Sequence, residues 1–374
     1  MLVCFVTSAR NAASHLDECC ASVLSQTHAP LEWCVYDDGS SDDTRTILES
    51  WRPRFYEKNI ALRVVASDAG SAARGCGYGR NRAVEESSSA SVLLVVLDAD
   101  DKASPSRAEA LLAASLEHPD ALIGSRYTRV GPGRPREFAW HNSLSTDGLI
   151  LQQLRETTMA RSSINKCKRV LTNPAQPVPT WAFTRAVYEA AGRFAEDSPN
   201  SASRWAPHCR IHASSDAEDL IFFYAHLNLG RPLWRVDDAL LHYRHTDGGV
   251  VATRGVPSSL IWTLRVAQLE HLLARNGWLE SGFTIWNAGK GGRALYNSLS
   301  PAARHAVRGF ADVDAKKLAR DFDDLRGRFL PIVHFAAAKP PLLLCVKLGL
   351  TDGVFEENLA SLHLTEGRDY LHFS

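Results

Sequence analysis

The sequence lacks a long apolar run, an excess of charge of either sign and any regular spacing of cysteines. No apolar segment approaches the roughly 20 residues that a membrane-spanning helix needs, and Met1–Thr7 has neither the basic start nor the length of a signal-peptide core. The 42 basic and 42 acidic side chains exclude a surface-wide preference for polyanions, but not a local basic groove. The eight cysteines form no Cys-x-x-Cys or zinc spacing. We therefore expect a cytoplasmic protein with free thiols and no contact with membranes.

Apolar strands alternate with amphipathic helices over the first 125 residues. Strands are predicted at 2–7, 32–36, 62–66 and 92–97, and helices at 12–25, 42–51, 78–86 and from Ser104-Pro105 to His118. This alternation predicts an α/β fold with a mostly parallel central sheet and right-handed crossovers. The pattern blurs from 126 to 216 and returns at an acidic helix start, Glu218-Asp219, followed by a predicted strand at 232–241.

The last third of the chain has its own signals for strands and helices. Strands are predicted at 283–287, 307–312, 332–335 and 342–348. We therefore predict two domains, at 1–257 and 258–374, the second a small α/β Rossmann-like unit. Its Gly289-Lys290-Gly291-Gly292 turn follows a strand and opens a helix, with Asp312 and Asp314 about twenty residues on, as in a dinucleotide fingerprint. A phosphate of a nucleic acid and a solvated helix face are the alternatives.

The most informative stretch is the apolar run that ends abruptly in Asp98, Asp100 and Asp101. Its composition favours a strand buried on both faces of a parallel sheet, and open α/β sheets bind ligands at the carboxyl ends of their strands. An Asp-x-Asp pair there can hold a divalent cation that grips a diphosphate. The alternative is an acidic turn that caps the next helix.

Three further polar clusters lie at the end of a predicted strand or at the start of a predicted helix. Thr7-Ser8 and Asp37-Asp38 follow the first two predicted strands, and Glu218-Asp219 opens a later helix. Because the carboxyl ends of parallel strands meet at one edge, we expect the first two clusters to lie beside Asp98 and Asp100. For Glu218-Asp219 alone, acidic capping of a helix is an equal interpretation.

Four motifs in this order resemble the family 2 glycosyltransferases of the GT-A fold. They are Asp37-Asp38-Gly39-Ser40-Ser41-Asp42, Arg80-Asn81-Arg82-Ala83, Asp98-Ala99-Asp100 and Glu218-Asp219. The resemblance covers about residues 1–250 and implies a GT-A nucleotide-diphospho-sugar transferase that inverts the anomeric centre. It also implies that Asp219 takes the proton of the acceptor hydroxyl, and its place at a helix N-terminus should keep it ionised. Glu218 would orient the acceptor or a nearby cation.

The same resemblance assigns the donor side of the site. Asp100 would bind Mn²⁺ or Mg²⁺, and Asp98 would contact the ribose or a metal-bound water. His245 would complete the metal shell, with a loop histidine bonded to backbone as the alternative. Asp38 would accept from uracil or ribose, and Thr7 and Ser8 would line the base pocket through backbone contacts. Candidates for uracil or diphosphate are Arg74, Arg80 and Asn81. Trp181 would stack on the acceptor, with a core tryptophan as the alternative.

Further segments extend the resemblance over nearly the whole chain, to members of this family that galactosylate queuosine in tRNA. They are Thr180-Trp181, Leu241–His245, Phe283–Lys290 and Arg368–Ser374. This implies transfer of galactose from UDP-galactose to queuosine at the wobble position of a tRNA, with tRNA-Tyr the first candidate. Residues 155–172 and 196–214 resemble insertions and carry no assigned role.

Three alternatives remain from the residues themselves. One is a UDP-GlcNAc-dependent β-1,3-N-acetylglucosaminyltransferase that acts on a galactoside, and another is an inactive tRNA- or protein-binding module. A nucleotidyltransferase is disfavoured, because Thr7–Asn11 contains no glycine for a phosphate-binding loop. Asp98, Asp100 and Asp219 argue against the inactive module.

Overall fold

The computed structural model describes residues 1–130, 139, 142–154, 178–196, 217–244, 258–347 and 351–373. His245 and almost all of the two expected insertions lie outside the described residues. The chain divides into two compact units. The first comprises Met1–Ile150 and Asn173–Pro257, and the second comprises Leu151–Thr172 and Ser258–Ser374.

The first unit is built on an eight-stranded mixed sheet with the order β3-β2-β1-β4-β7-β6-β8-β5. Its strands are β1 (Leu2–Ala9), β2 (Leu31–Asp37), β3 (Ala61–Ala66), β4 (Ser91–Val96), β5 (Lys102–Ala103), β6 (Leu122–Val130), β7 (Ala182–Phe183) and β8 (Leu233–Arg244). Strands β3, β2, β1 and β4 are parallel, as is the pair β6 and β8, whereas β7 and β5 run antiparallel to their neighbours. The predicted α/β fold with a mostly parallel sheet is confirmed.

The helices of this unit cover the sheet with apolar side chains. Their bounds are Ala13–Leu24, Thr44–Glu57, Cys76–Glu86, Arg107–Glu117, Thr146–Leu151, Arg185–Ala190 and Glu218–Asn228. Phe5 and Trp33 on adjacent strands are fully buried in one core cluster with Leu16 and Phe55 of the helices. In the part of the chain that the structure describes, no helix is both long and apolar enough to span a bilayer.

The predicted helix start at Ser104-Pro105 is wrong. Ser104 instead lies in a turn, where its backbone N–H donates to Leu240 and its carbonyl accepts from Arg107. The helix therefore begins at Arg107, because the preceding residues are held by strand β8 and by Thr27, whose N–H bonds to the Pro105 carbonyl.

The second unit carries a five-stranded parallel sheet with the order β13-β10-β9-β14-β15 and a separate hairpin, β11-β12. The strands are β9 (Phe283–Trp286), β10 (Val307–Asp312), β11 (Phe322–Asp323), β12 (Phe329–Leu330), β13 (Ile332–His334), β14 (Leu342–Leu344) and β15 (Tyr370–His372). The helices are Ser258–Arg275, Trp278–Ser281, Lys290–Ser298, Pro301–Ala306, Ala315–Leu318 and Val354–Ala360. Strand order reverses beside β9, which is the doubly wound pattern that the sequence predicts.

Groups of the chain itself occupy the glycine-rich turn after β9. The Asp312 carboxylate accepts from the Ala288 N–H at 2.9 Å and from Lys317 Nζ at 2.9 Å. A Cβ on Gly292 would lie 1.9 Å from the Asn287 carbonyl oxygen. The glycine therefore lets the helix start close to the strand end, and the acid expected to bind a ribose is already engaged by its own chain.

We predict that Gly292→Ala destabilises the protein by about 1–3 kcal/mol, because the added methyl group overlaps backbone that cannot move freely. The matched control is Gly291→Ala, whose nearest neighbour would be the Asn287 side chain at 3.3 Å. Alanine is favoured over glycine inside helices by about 1 kcal/mol, so the control should cost little. Chemical denaturation measures both, and equal losses would contradict the packing argument.

Candidate functional site

Arg80 connects two of the predicted acidic motifs. One terminal nitrogen of its guanidinium donates to Glu218 Oε1 at 2.7 Å and the other donates to Asp98 Oδ1 at 2.9 Å. Arg80 is only 4% exposed. The turn after β4 and the start of helix Glu218–Asn228 are therefore joined through a buried cation on helix Cys76–Glu86.

This arrangement corrects the role that the sequence suggested for Arg80. It was a candidate for uracil or diphosphate, but both terminal nitrogens already bind carboxylates. Two glycines on its helix allow this. A Cβ on Gly77 would lie 2.3 Å from the Ala195 carbonyl and 2.9 Å from Glu218 Cβ, and one on Gly79 would lie 2.1 Å from Ser8 Oγ. Larger residues at either position would push the helix away from the site.

The two acids at the start of helix Glu218–Asn228 differ in their surroundings. Glu218 is buried and ion-paired, and burial raises its pKa to about 7, assisted by the charge of Asp219 and opposed by Arg80. Asp219 is half-buried, and its Oδ1 accepts from the Leu220 N–H at 2.7 Å. Burial also raises the pKa of Asp219. The sequence analysis considered only the helix N-terminus, which favours the ionised form, and desolvation acts against it.

The turn after β4 presents two half-buried carboxylates and one buried carboxylate. Asp98 and Asp100 are partly exposed, whereas Asp101 is fully buried and its Oδ1 accepts from the Arg244 N–H at 2.7 Å. Burial, together with the charges of Asp100 and Asp98, raises the pKa of Asp101 well above its usual range. Asp98 and Asp100 are the pair that can face a ligand.

Hard oxygen donors of this kind suit Mg²⁺ or Mn²⁺, which keep several waters and take few protein ligands beside substrate phosphates. Asp98 and Asp100 therefore fit such a cation. Over the described ranges, one group of three or more metal-ligating side chains has all its ligand atoms within 4.8 Å of one another. It consists of Cys4, Glu32 and Cys34 in the core and includes neither Asp98 nor Asp100. His245, the third expected ligand, lies outside those ranges.

The predicted nucleotide-binding turn is held by the Asp38 side chain. Its carboxylate accepts from the backbone N–H groups of Arg74 and Gly75 at 2.9 and 3.0 Å, and it is nearly fully buried. Arg10 donates to the carbonyls of Asp38 and Ser71. The expected contact of the Asp38 carboxylate with uracil or ribose is thus replaced by contacts that fix the 71–75 loop.

Arg74 is the exposed cation of this region. Its NH1 atom donates to the Tyr78 hydroxyl at 2.7 Å, and its guanidinium carbon lies 3.6 Å from the centre of the Tyr78 ring. Tyr78 in turn contacts Tyr36 edge to face. Thr7 is buried and accepts from the Trp33 indole, while Ser8 lies half-buried against Gly79. Arg74 therefore remains available for a ligand, together with the backbone near Ser8.

Asn81 and Trp181 are corrected to structural roles. The Asn81 amide donates to the Phe194 carbonyl and to Glu196 Oε1, and its oxygen accepts from the Tyr188 hydroxyl and the Phe194 N–H. Trp181 is fully buried. Its ring stacks on Phe222 at 6.0 Å and on Phe223 at 6.2 Å, so it has no face for an acceptor. The alternative of a core tryptophan is the correct one.

Sequence reasoning missed several residues that shape the site. Arg10, Tyr78, Gly77 and Gly79 had no motif of their own. The closely spaced glycines in Cys76-Gly77-Tyr78-Gly79-Arg80 were the available signal, because glycine inside a helix marks close approach by another element.

Comparison with known proteins identifies the first half of the chain. A sequence model of the protein family described as "Glycosyl transferase family 2" matches residues 4–188. These residues form a family 2 glycosyltransferase domain. TarS residues 1–349 from S. aureus, solved with UDP-GlcNAc, have the same GT-A fold, with a TM-score of 0.52 and 16% identity over 82% of this chain and 84% of TarS.

Two curated relatives match a shorter region of the family 2 domain. A Bacillus subtilis protein named for a glycosyltransferase role in teichuronic acid biosynthesis, TuaG, is 32% identical over 128 residues, which are 34% of this chain and 47% of TuaG. Chondroitin synthase of Pasteurella multocida is 30% identical over 127 residues, which are 34% of this chain and 12% of the synthase. The chain thus spans about half or less of the relatives it matches.

The pKa of Glu218 gives a pH-dependent prediction. Its folded value of about 7 lies above the ordinary 4.5, so its contribution to stability is fully present below pH 4.5 and is lost as the pH rises through 7. Glutamine at position 218 cannot ionise. The unfolding free energy of Glu218→Gln minus that of wild type, measured in EDTA, should therefore increase between pH 4.5 and 7.

The control for this measurement is Glu49→Gln. Arg52 lowers the pKa of Glu49, and its contribution is therefore constant above pH 4.5. Its difference from wild type should stay level over the same interval. Parallel curves for wild type and Glu218→Gln would show that Glu218 ionises normally.

Proposed function

We propose that the protein is a metal-dependent, inverting glycosyltransferase that uses a UDP-sugar donor. The observation that carries this proposal is the buried Arg80, which joins Asp98 after a sheet strand to Glu218 beside Asp219. Such a geometry would hold a donor-side carboxylate and a candidate base beside the carboxyl ends of the strands, where open α/β sheets bind ligands, and Asp98 lies within the residues that match family 2. The relatives named glycosyltransferase and synthase support the reaction class.

In this mechanism Asp219 takes the proton. Inverting transfer needs no covalent intermediate, so one base must receive the hydroxyl proton while the acceptor oxygen attacks the anomeric carbon. Asp219 is the half-buried member of the acidic pair, and its raised pKa makes its carboxylate a better proton acceptor. The Leu220 N–H holds one of its oxygens in place. Glu218 is committed to Arg80 and would orient the base and the acceptor.

Asp98 and Asp100 would hold Mn²⁺ or Mg²⁺, which would neutralise the charge that develops on the departing diphosphate. Arg80 holds one Asp98 oxygen and thereby fixes the direction of the other. Arg74 would reach the nucleotide, since it is exposed beside the loop that Asp38 secures. TarS, which shares the fold, was solved with UDP-GlcNAc, and this supports a uridine nucleotide as donor.

We predict that Asp219→Asn lowers transfer by roughly a hundred- to ten-thousandfold, because the amide cannot accept the proton. UDP-sugar binding, measured by calorimetry, should stay close to wild type. The matched control is Asp147→Asn, an exposed aspartate in the first turn of another helix, which should leave both quantities unchanged. Equal losses of binding and transfer in Asp219→Asn would assign it to the donor site.

For the substrates we propose galactose as the sugar and queuosine at the wobble position of tRNA as the acceptor, as in the queuosine-tRNA galactosyltransferase. The support is the resemblance of Leu241–His245, Phe283–Lys290 and Arg368–Ser374 to that group. The alternative is N-acetylglucosamine transfer to a galactoside, which the UDP-GlcNAc complex of TarS favours. Pocket contacts to one hydroxyl or acetamide decide between these donors.

A donor screen against queuosine-containing tRNA distinguishes these proposals. UDP-galactose should add one hexose to the nucleoside, as measured by mass, whereas UDP-GlcNAc should not. A product with UDP-GlcNAc on galactosides alone would replace the tRNA proposal. Absence of UDP release with every donor and acceptor would leave the inactive binding module.

Two exposed cations of the second unit are candidates for contact with the acceptor. Lys316 and Arg320 are exposed, whereas Lys317 is ion-paired with Asp312 and is unsuitable for charge reversal. We predict that Lys316→Glu with Arg320→Glu weakens tRNA binding and flattens its salt dependence, because fewer counterions are released. UDP-sugar hydrolysis without acceptor should not change. The control is Lys339→Glu, another exposed lysine of this unit, and tRNA affinity equal to wild type in the double variant would contradict the prediction.

A further inference from the structure

Asp101 is the third carboxylate of the Asp98–Asp101 turn and differs from the other two. It is fully buried, whereas Asp98 and Asp100 are partly exposed. Its Oδ1 accepts from the backbone N–H of Arg244 at 2.7 Å, and its Oδ2 has no hydrogen-bond partner among the residues described. A carboxylate that is buried and bonded to main chain in this way is poorly placed to reach a ligand.

Arg244 ends strand β8 and holds the turn at a second point. Its Nε donates to the Asp100 carbonyl at 3.0 Å, and its guanidinium pairs with Glu18 at 2.9 Å. Lys102, which follows the turn, pairs with the same Glu18 at 3.0 Å. Strand β5 then pairs with β8 through Lys102 and His242. The turn is thus clamped to the end of β8 through a side chain, a backbone amide and a short strand.

Within the turn, the Asp101 N–H donates to the Asp98 carbonyl at 3.1 Å. This bond closes the loop, but it does not fix where the loop points. The Asp101 and Arg244 contacts supply that direction, because they tie both the side chain of residue 101 and the carbonyl of residue 100 to another strand.

We propose that Asp101 is a positioning residue, which orients Asp98 and Asp100 toward the cation through its bond to Arg244 and is not itself a ligand. This inference rests on the proposed metal-dependent function. Groups that orient metal ligands without touching the metal typically account for about 10–100-fold in metal affinity. The role needs only an acceptor oxygen at the Oδ1 position.

Asp101→Asn and Asp101→Leu separate the two roles. Asparagine keeps the acceptor oxygen and an uncharged amide is less costly to bury than a carboxylate, while leucine has a similar size and no acceptor. Asp100→Asn serves as the ligand-loss reference. The full-length protein is titrated with Mn²⁺ at saturating UDP, and free Mn²⁺ is followed by electron paramagnetic resonance. Thermal unfolding in EDTA tests folding.

Asp101→Asn should bind Mn²⁺ close to wild type, whereas Asp101→Leu should bind about 10–100-fold more weakly. Asp101→Asn that loses Mn²⁺ as fully as Asp100→Asn would make Asp101 a ligand and overturn the proposal. Wild-type affinity in a folded Asp101→Leu would overturn it as well. If Asp101→Leu fails to fold, the comparison of Asp101→Asn with Asp100→Asn decides alone. A wild type that binds UDP equally well in EDTA would refute the metal role of the site and this inference together.

Discussion

The site depends on one buried positive charge. Arg80 cannot lose its proton in a protein, so burying it requires carboxylates within hydrogen-bond distance. Asp98 and Glu218 meet that requirement from two elements far apart in sequence. Leaving a buried ion such as Arg80 unpaired costs several kcal/mol. This penalty fixes the position of the turn after β4 relative to helix Glu218–Asn228.

The small residues of helix Cys76–Glu86 make this ion pair possible. Gly77 lies against Glu218 and Gly79 lies against Ser8, each at a distance that a Cβ would not allow. One turn after Gly77, Asn81 bonds to the 194–196 segment and to Tyr188. The helix thus contacts the sheet, the acidic helix and a loop, and its position sets the spacing of the site. Glycines that cost stability in an isolated helix are here a condition of the packing.

The sequence predicted the sheet and the location of the acidic residues well, because alternating strands and helices leave strand ends on one edge. It predicted roles less well. Arg80, Asn81 and the Asp38 carboxylate stand in motif positions, yet each is bonded to protein groups, and the identity of a residue does not reveal which neighbour its side chain meets. The effect of burial on the pKa of Asp219 was missed for a related reason, since burial is a property of the fold and the helix N-terminus is visible in the sequence.

Two elements were missed because their buried positions are polar. Helix Ser258–Arg275 buries Arg265 and Gln268 among leucines, which breaks the apolar period. Arg265 is satisfied there by the carbonyls of Leu154 and Phe373, neither of which is near in sequence. Strand β6 carries Ser125, Arg126 and Arg129 and shifts its register against β8. In the helix, long-range hydrogen bonds replace the apolar pattern on which sequence reasoning relies, and in β6 the polar residues and the register shift interrupt that pattern.

The same ion pair links the two halves of the proposed reaction. Arg80 shares its charge between Asp98, on the donor side, and Glu218, which adjoins the candidate base. A cation bound at Asp98 would compete with Arg80 for that carboxylate and leave more of the arginine's charge to Glu218. Glu218 would then favour its ionised form, and its charge would act on Asp219 through their contact along the helix. In the proposed mechanism, donor binding and the proton affinity of the base would therefore be coupled through a single buried side chain, by the reciprocity that any such linkage obeys.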